Sequence, residues 1–183
     1  YFNAAWAKPF EESLTEEGPF TLLDGTEIQV PMMRQQERLP YAEGEDYQAV
    51  ELPYDGHEMS MVIVLPDRGS LEALEDALDA TTVQSIIEDL DGQQVGLRMP
   101  KFEFDAGFSL AKVLAELGMP EAFSPAADFS GMTGERDLFI SEVVHKAFVS
   151  VDEEGTEAAA ATAVVMVESA APQEPVELTL DHP

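Results

Sequence analysis

The run Glu153-Glu154-Gly155-Thr156-Glu157-Ala158-Ala159-Ala160-Ala161-Thr162-Ala163-Val164-Val165-Met166 sets the tightest limit on how this chain can fold. Four consecutive alanines flanked by threonine and valine leave almost no side chain to pack, so the segment makes a poor core element. It suits a strand that slides into a narrow slot. Alternate side chains of a strand point to one face, and here one alternate set is Thr156, Ala158, Ala160, Thr162, Val164 and Met166, all uncharged and mostly small. The opposite set, led by Glu157, can face solvent. No proline occurs in residues 155–171, so no ladder donor is missing. The stretch from Gly155 to Pro175 is also too long for an ordinary connection, and loops of that length are usually functional or disordered.

The remaining chain reads as strands and helices in runs. Asp24-Gly25 marks the turn of a hairpin over residues 20–30, and Asp55-Gly56 the turn of a second over residues 49–66. The apolar run Val62-Ile63-Val64-Leu65 predicts a strand covered on both faces. Ser70 is placed to cap a helix carrying Leu71, Leu74 and Leu78. Thr81 with Gln84 forms a capping-box pattern ahead of Val83, Ile86, Ile87 and Leu90. Residues 95–104 read as a strand, and Leu110, Val113, Leu114 and Leu117 as the core stripe of a helix from Ser109, stopped by Gly118 and Pro120. Residues 138–151 predict one long strand, and 176–180 alternate as another. This order favours an α+β fold with mainly antiparallel sheet.

Charge removes several function classes. Thirty-seven acids against nine bases give a net charge of −28. Nucleic acid is not an expected partner, because phosphate binding needs clustered Lys and Arg, and an anionic membrane surface is disfavoured for the same reason. Only Lys8, Lys101, Lys112 and Lys146 are lysines. Such an acidic chain repels itself when compact, and a Debye length of roughly 3 Å at 1 M salt would screen that repulsion. Adaptation to molar salt is therefore expected. There is no cysteine, so thiolate and disulfide chemistry are unavailable. No run reaches the ~18 apolar residues that span a bilayer.

Catalytic readings fail in turn. No Gly-x-Ser-x-Gly elbow occurs. His57-Glu58-Met59-Ser60-Met61 begins like a zincin helix, but methionine stands where the second histidine is needed. His57, His145 and His182 lack metal-ligand spacing, and acid pairs such as Glu153-Glu154 arise by chance among 37 acids. Neither an enzyme nor a metal or cofactor is expected.

Several motifs then agree in order and spacing. Tyr1-Phe2-Asn3-Ala4-Ala5-Trp6 with Pro9-Phe10, Val30-Pro31-Met32-Met33, Glu51-Leu52-Pro53-Tyr54, Met61-Val62-Ile63-Val64-Leu65-Pro66, Met99-Pro100-Lys101-Phe102, Phe123-Ser124-Pro125, Phe129-Ser130-Gly131-Met132 and His145-Lys146-Ala147-Phe148 lead into the Glu153 run. Together they resemble the C-terminal half of a serpin, the serine protease inhibitor family, with the acidity of a halophilic archaeal member. Asn3-Ala4 stands where the family carries Lys-Gly.

The resemblance implies mixed sheets with helices: residues 1–152 as the C-terminal part of the body, 153–175 as hinge and reactive-centre loop, and 176–183 as the start of the last strands. It implies a suicide substrate. A serine protease, subtilisin-like or elastase-like, attacks the loop, and the freed arm inserts into the central sheet and traps the acyl-enzyme. The hinge would be Glu153, Glu154, Gly155, Thr156, Glu157, Ala158, Ala159, Ala160, Ala161 and Thr162. The reactive bond would be Ser169-Ala170, with Met166, Val167 and Glu168 as subsite residues. His145 is implied as a gate residue where the sheet parts, against the plainer reading of an ordinary core histidine. Trp6 is implied as the aromatic lid of the breach above the insertion point, against plain core. An extracellular location is expected. The family is roughly twice this length, so the chain is expected to need an N-terminal half in order to fold. A non-inhibitory carrier or interaction protein, or an inactive substrate-like fragment, are the alternatives.

Overall fold

The computed structural model describes residues 2–156 and 174–183. The chain divides into two compact units, Tyr1–Phe102 with Ser150–Pro183, and Glu103–Val149. The fold class is α+β, as the sequence predicts.

The first unit is built around one long strand. In chain order it holds β1 (Ala4–Ala5), a 3-10 turn (Glu12–Leu14), β2 (Glu16–Thr21), β3 (Glu27–Glu43), β4 (Tyr47–Pro53), β5 (Ser60–Pro66), α1 (Leu71–Ala77), α2 (Ala80–Glu88) and β6 (Asp91–Pro100). β3 pairs with β2 at one end, with β6 over residues 32–41, and with β4 at the other end. All these pairings are antiparallel. Met33, Val95, Leu97 and Met99 are fully buried, because residues paired across the ladder share a face and these alternate onto the inner one. Pro31 and Pro40 hid this strand from sequence reading, yet neither breaks it. Pro31 keeps its acceptor, which receives the N–H of Lys101 at 2.8 Å.

Both predicted hairpins form. Gly25 and Gly56 each adopt φ 82° in the turns, a conformation that glycine reaches without strain. Thr26 N–H is held by Asp24 Oδ1 at 2.9 Å. The zincin-like His57-Glu58-Met59 lies in the second hairpin's connection, with His57 itself at φ 55° and strand resuming at Ser60.

The helix starts differ from expectation. Ser70 makes no side-chain cap on α1. At α2 the cap is Asp79, not Thr81: its carboxylate takes the Thr82 N–H at 2.8 Å, and Gln84 turns instead to Glu88. A carboxylate two residues upstream meets the free N–H groups first. Ile86 is the buried contact of α2, packed with Ala42 and Ala49, while Val83 and Ile87 stay exposed.

The expected strand over residues 95–104 is two strands, broken at Lys101. The second, β7 (Phe102–Ser109), leads into the other unit, which holds α3 (Ala111–Glu116), a 3-10 turn (Pro120–Phe123), α4 (Ser130–Thr133) and most of β8 (Val144–Val151). β7 and β8 are sheet neighbours. Residues 138–143 are not strand, which shortens the predicted 138–151 element. Their backbone is engaged elsewhere: Ile140 N–H donates to Ala122 and Val143 carbonyl accepts from Leu110. The α3 stripe is not buried among the described residues. Val113 and Leu117 are exposed, and Leu110 and Leu114 half-buried. Gly118 ends that helix at φ 113°, as predicted.

The chain closes with β9 (Gly155–Thr156) and β10 (Val176–Thr179). β10 lies parallel to β6 and buries Leu178. Leu97→Ala is expected to cost about 2–5 kcal/mol, read from urea midpoints of the intact protein. A loss under about 0.5 kcal/mol would contradict this assignment of the core.

Candidate functional site: the hinge and its anchors

The described start of the predicted hinge, residues 153–156, is gripped on every side by the first unit. The turn between β8 and β9 is held by Asp152, whose carboxylate accepts the N–H groups of Glu154 at 2.9 Å and Gly155 at 3.2 Å. An aspartate side chain mimicking a backbone turn in this way reverses the chain within three residues. β9 therefore runs back antiparallel, with Thr156 opposite Val151 on one side and opposite Ala4 of β1 on the other.

Trp6 stands against this turn. It is 2% exposed, its indole N–H donates to the Asp152 carbonyl at 2.9 Å, and its backbone N–H donates to Glu154 at 2.9 Å. Its ring lies flat on Tyr54, with centroids 4.7 Å apart and planes 7° from parallel. The Tyr54 hydroxyl shares a hydrogen bond of 2.9 Å with the Thr156 hydroxyl. Burial raises the Tyr54 phenol above its usual range, partly offset by that bond, so the group is neutral here. Trp6 and Tyr54 thus join the Asp152 turn to the Thr156 side chain.

Glu153 is buried, yet it carries a charge. One carboxylate oxygen accepts from Lys101 at 2.7 Å and the other from Thr15 at 2.8 Å, while its carbonyl receives the Phe10 N–H. Burial pushes its pKa up, but the Lys101 ammonium, its own backbone N–H and Thr15 outweigh this and hold it below the ordinary range. Lys101 is raised in turn, first by its bond to Glu153. Lys101 is about half exposed, so water weakens the pair.

Of the predicted site residues, Glu153, Glu154, Gly155, Thr156 and Trp6 come together here. His145 lies in the second unit, where it is exposed among the described residues and tilted against Phe108 at 5.1 Å. Glu157, Ala158, Ala159, Ala160, Ala161, Thr162, the subsite residues Met166, Val167 and Glu168, and the bond Ser169-Ala170 lie outside the described residues. Sequence reading missed Thr15, Tyr54, Lys101 and Asp152 as partners. Tyr54 and Lys101 sat inside quoted motifs, but nothing in those motifs says which distant residue each meets. Among the described residues no group of His, Cys, Asp and Glu is arranged to hold a metal ion.

The profile of the family described as "Serpin (serine protease inhibitor)" matches residues 1–183. The chain belongs to the serpin family. It is 44% identical over 185 residues to an uncharacterized serpin-like protein of Thermococcus kodakarensis, covering all of this chain and 43% of that protein. It is 40% identical over 191 residues to a leukocyte elastase inhibitor of Xenopus laevis, covering 50% of that protein. Among solved structures, thyroxine-binding globulin in complex with thyroxine superposes with a TM-score of 0.84 at 31% identity, over 99% of this chain and 48% of that one. This serpin chain thus spans about half the length of the relatives it matches.

The Glu153–Lys101 pair sets a pH window. A carboxylate held below its unfolded value, 4.5, adds stability above that pH and loses it as pH falls through the folded value. Lys101, raised above 10.5, adds stability below that pH and loses it as pH rises through its folded value. Lys101→Met is expected to cost about 1–2 kcal/mol at pH 7 and markedly less near pH 3. Equal losses at both pH values in urea melts would remove the carboxylate from the account.

Proposed function

We propose that this serpin chain is part of a serine protease inhibitor that acts as a suicide substrate. The observation that carries the proposal is β9. Gly155 and Thr156 already pair as a strand between β1 and Val151 of β8, and the Thr156 side chain points inward to Tyr54. An arm continuing from that register keeps the parity of Thr156. Ala158, Ala160, Thr162, Val164 and Met166 would then enter the core side, and none of them brings a charge or a missing donor. Antiparallel strand addition supplies main-chain hydrogen bonds along the whole arm. The release of that free energy after cleavage of the loop is the force that deforms the captured protease.

The bond offered is Ser169-Ala170, with Ser169 entering the specificity pocket of the protease and Glu168, Val167 and Met166 upstream. A small P1 side chain suits elastase-like and subtilisin-like enzymes and not trypsin-like ones. The similarity to a leukocyte elastase inhibitor agrees with the first of these. His145 is proposed as a gate residue that the arm passes. The protein is proposed to work outside the cell and in molar salt, where its net charge of −28 is screened. A carrier role is the second reading, favoured by the likeness to thyroxine-binding globulin.

Incubation with pancreatic elastase or subtilisin is expected to give a covalent complex that survives detergent, with the cut at Ser169-Ala170 by mass spectrometry. Cleavage without that complex would favour the substrate-like reading, and a cut outside residues 166–171 would refute the register. Thr162→Arg places a charge in the inward set and is expected to convert inhibitor into substrate. Thermal melts in 3 M potassium chloride are expected to lie well above those in dilute buffer; equal midpoints would remove the salt adaptation.

A further inference from the structure

Arg34 of β3 stands directly opposite Arg98 of β6 in the antiparallel ladder. Side chains so opposed have Cβ atoms about 4.5–5.5 Å apart, and like charges at that spacing are destabilising. Thr179 of β10 continues the same row beside Arg98. Of the nine lysines and arginines, Lys8, Arg68, Lys101, Lys112 and Arg136 each meet a carboxylate. Arg34 and Arg98 do not: among the described residues neither has an ion pair, in a chain with 37 acids.

The two arginines and Thr179 line a cleft of about 150 Å³ in the first unit, and β2 brings Glu16 and Glu17 to it. Glu16 lies opposite Met32, two residues before Arg34, and so shares the face of both arginines. Glu17 alternates to the other face. Asp181 is the remaining carboxylate of the lining, and it is already taken by Arg68 at 2.5 Å and His182 at 2.6 Å. Glu177, two residues before Thr179, is turned over Gly96 instead. Met32 supplies apolar surface with Leu14 and Pro19, and it packs against Gly18, where a Cβ would come within 2.8 Å of its Cγ.

Two guanidiniums without a partner call for an oxyanion. A free anion is a poor occupant, because it must approach a chain of net charge −28 and then sit beside Glu16. A zwitterion meets neither objection. Glu16 and Arg34 are diagonal neighbours, whose starting points lie about 7–8 Å apart, so both ends of a short zwitterion find an opposite charge. The volume suits a molecule of about six heavy atoms, since an engineered cavity of about 150 Å³ holds benzene.

We propose that this cleft binds a small α-amino acid in its zwitterionic form. The carboxylate bridges Arg34 and Arg98 and accepts from the Thr179 hydroxyl, the ammonium donates to Glu16, and a short apolar side chain lies toward Met32 and Leu14. Guanidinium–carboxylate bonds are charge-assisted and directional, and a carboxylate between the two arginines also relieves their mutual repulsion. The proposal is independent of the inhibitory reading.

L-Alanine is the probe, titrated into the intact protein at fixed ionic strength while the Nε–H resonances of Arg34 and Arg98 are followed by NMR. Propionate keeps its carboxylate without the ammonium, and ethylammonium keeps the ammonium without the carboxylate. The expected result is a saturable shift of both resonances with alanine, with binding about tenfold weaker or less for either half-molecule, as the loss of a charge-assisted hydrogen bond predicts. Arg98→Gln is expected to weaken alanine binding at least about tenfold, and Glu16→Gln to bring alanine down to the affinity of propionate. A shift linear in concentration, propionate binding as tightly as alanine, or unchanged affinity in Arg98→Gln would each overturn the site. So would a Glu16 carboxylate that closes on Arg34 in a crystal structure of the intact protein soaked with alanine. Should a variant fail to fold, the alanine-to-propionate ratio on the unaltered protein still decides.

Discussion

A carboxylate taken out of water costs several kcal/mol unless enough donors meet it, and the hinge depends on how Glu153 meets that requirement. Lys101 and Thr15 approach its two oxygens from opposite parts of the chain, and the Phe10 amide fixes its carbonyl. None of the three can be placed without the rest of the first unit. Lys101 is positioned by the break between β6 and β7, where its N–H bonds Pro31 of β3. Thr15 follows the short 3-10 turn that leads into β2. The charge of one residue thus ties the hinge to the central sheet, and the sequence tolerates an acid there because the fold delivers a base to it.

Glu153 fixes where the hinge begins; Trp6 and Tyr54 fix which way it faces. The indole holds the outside of the Asp152 turn, and the phenol receives the first side chain past it. The two aromatic rings are stacked face to face, so movement of one is felt by the other.

Much of this was legible before the structure. Both hairpins carried Asp-Gly turns, and Val95, Leu97 and Met99 announced a strand by alternation alone. The inward parity of Thr156 followed from the same period of two. What stayed hidden has physical causes. β3 runs for 17 residues through two prolines and a polar centre, Gln35-Gln36-Glu37-Arg38, so no local pattern marks it as a strand. The α2 cap was misplaced because Asp79 and Thr81 both suit the role and only geometry chooses between them. The α3 stripe has the period of a buried face, but period does not say what lies opposite it. Lys101 and Thr15 were invisible as partners of Glu153 because sequence separation carries no information about charge pairing.

The hydrogen bonds that secure the hinge join residues 146 and 138 positions apart, Trp6 to Asp152 and Thr15 to Glu153. Contacts between such remote segments can form only after the intervening chain has been threaded into place, and topologies rich in them fold slowly. During synthesis Trp6 and Tyr54 wait, without their partners at the turn, until residue 152 has left the ribosome. The turn at residue 152 is therefore secured by contacts that depend on chain search across a long separation, whatever the strength of the bonds themselves.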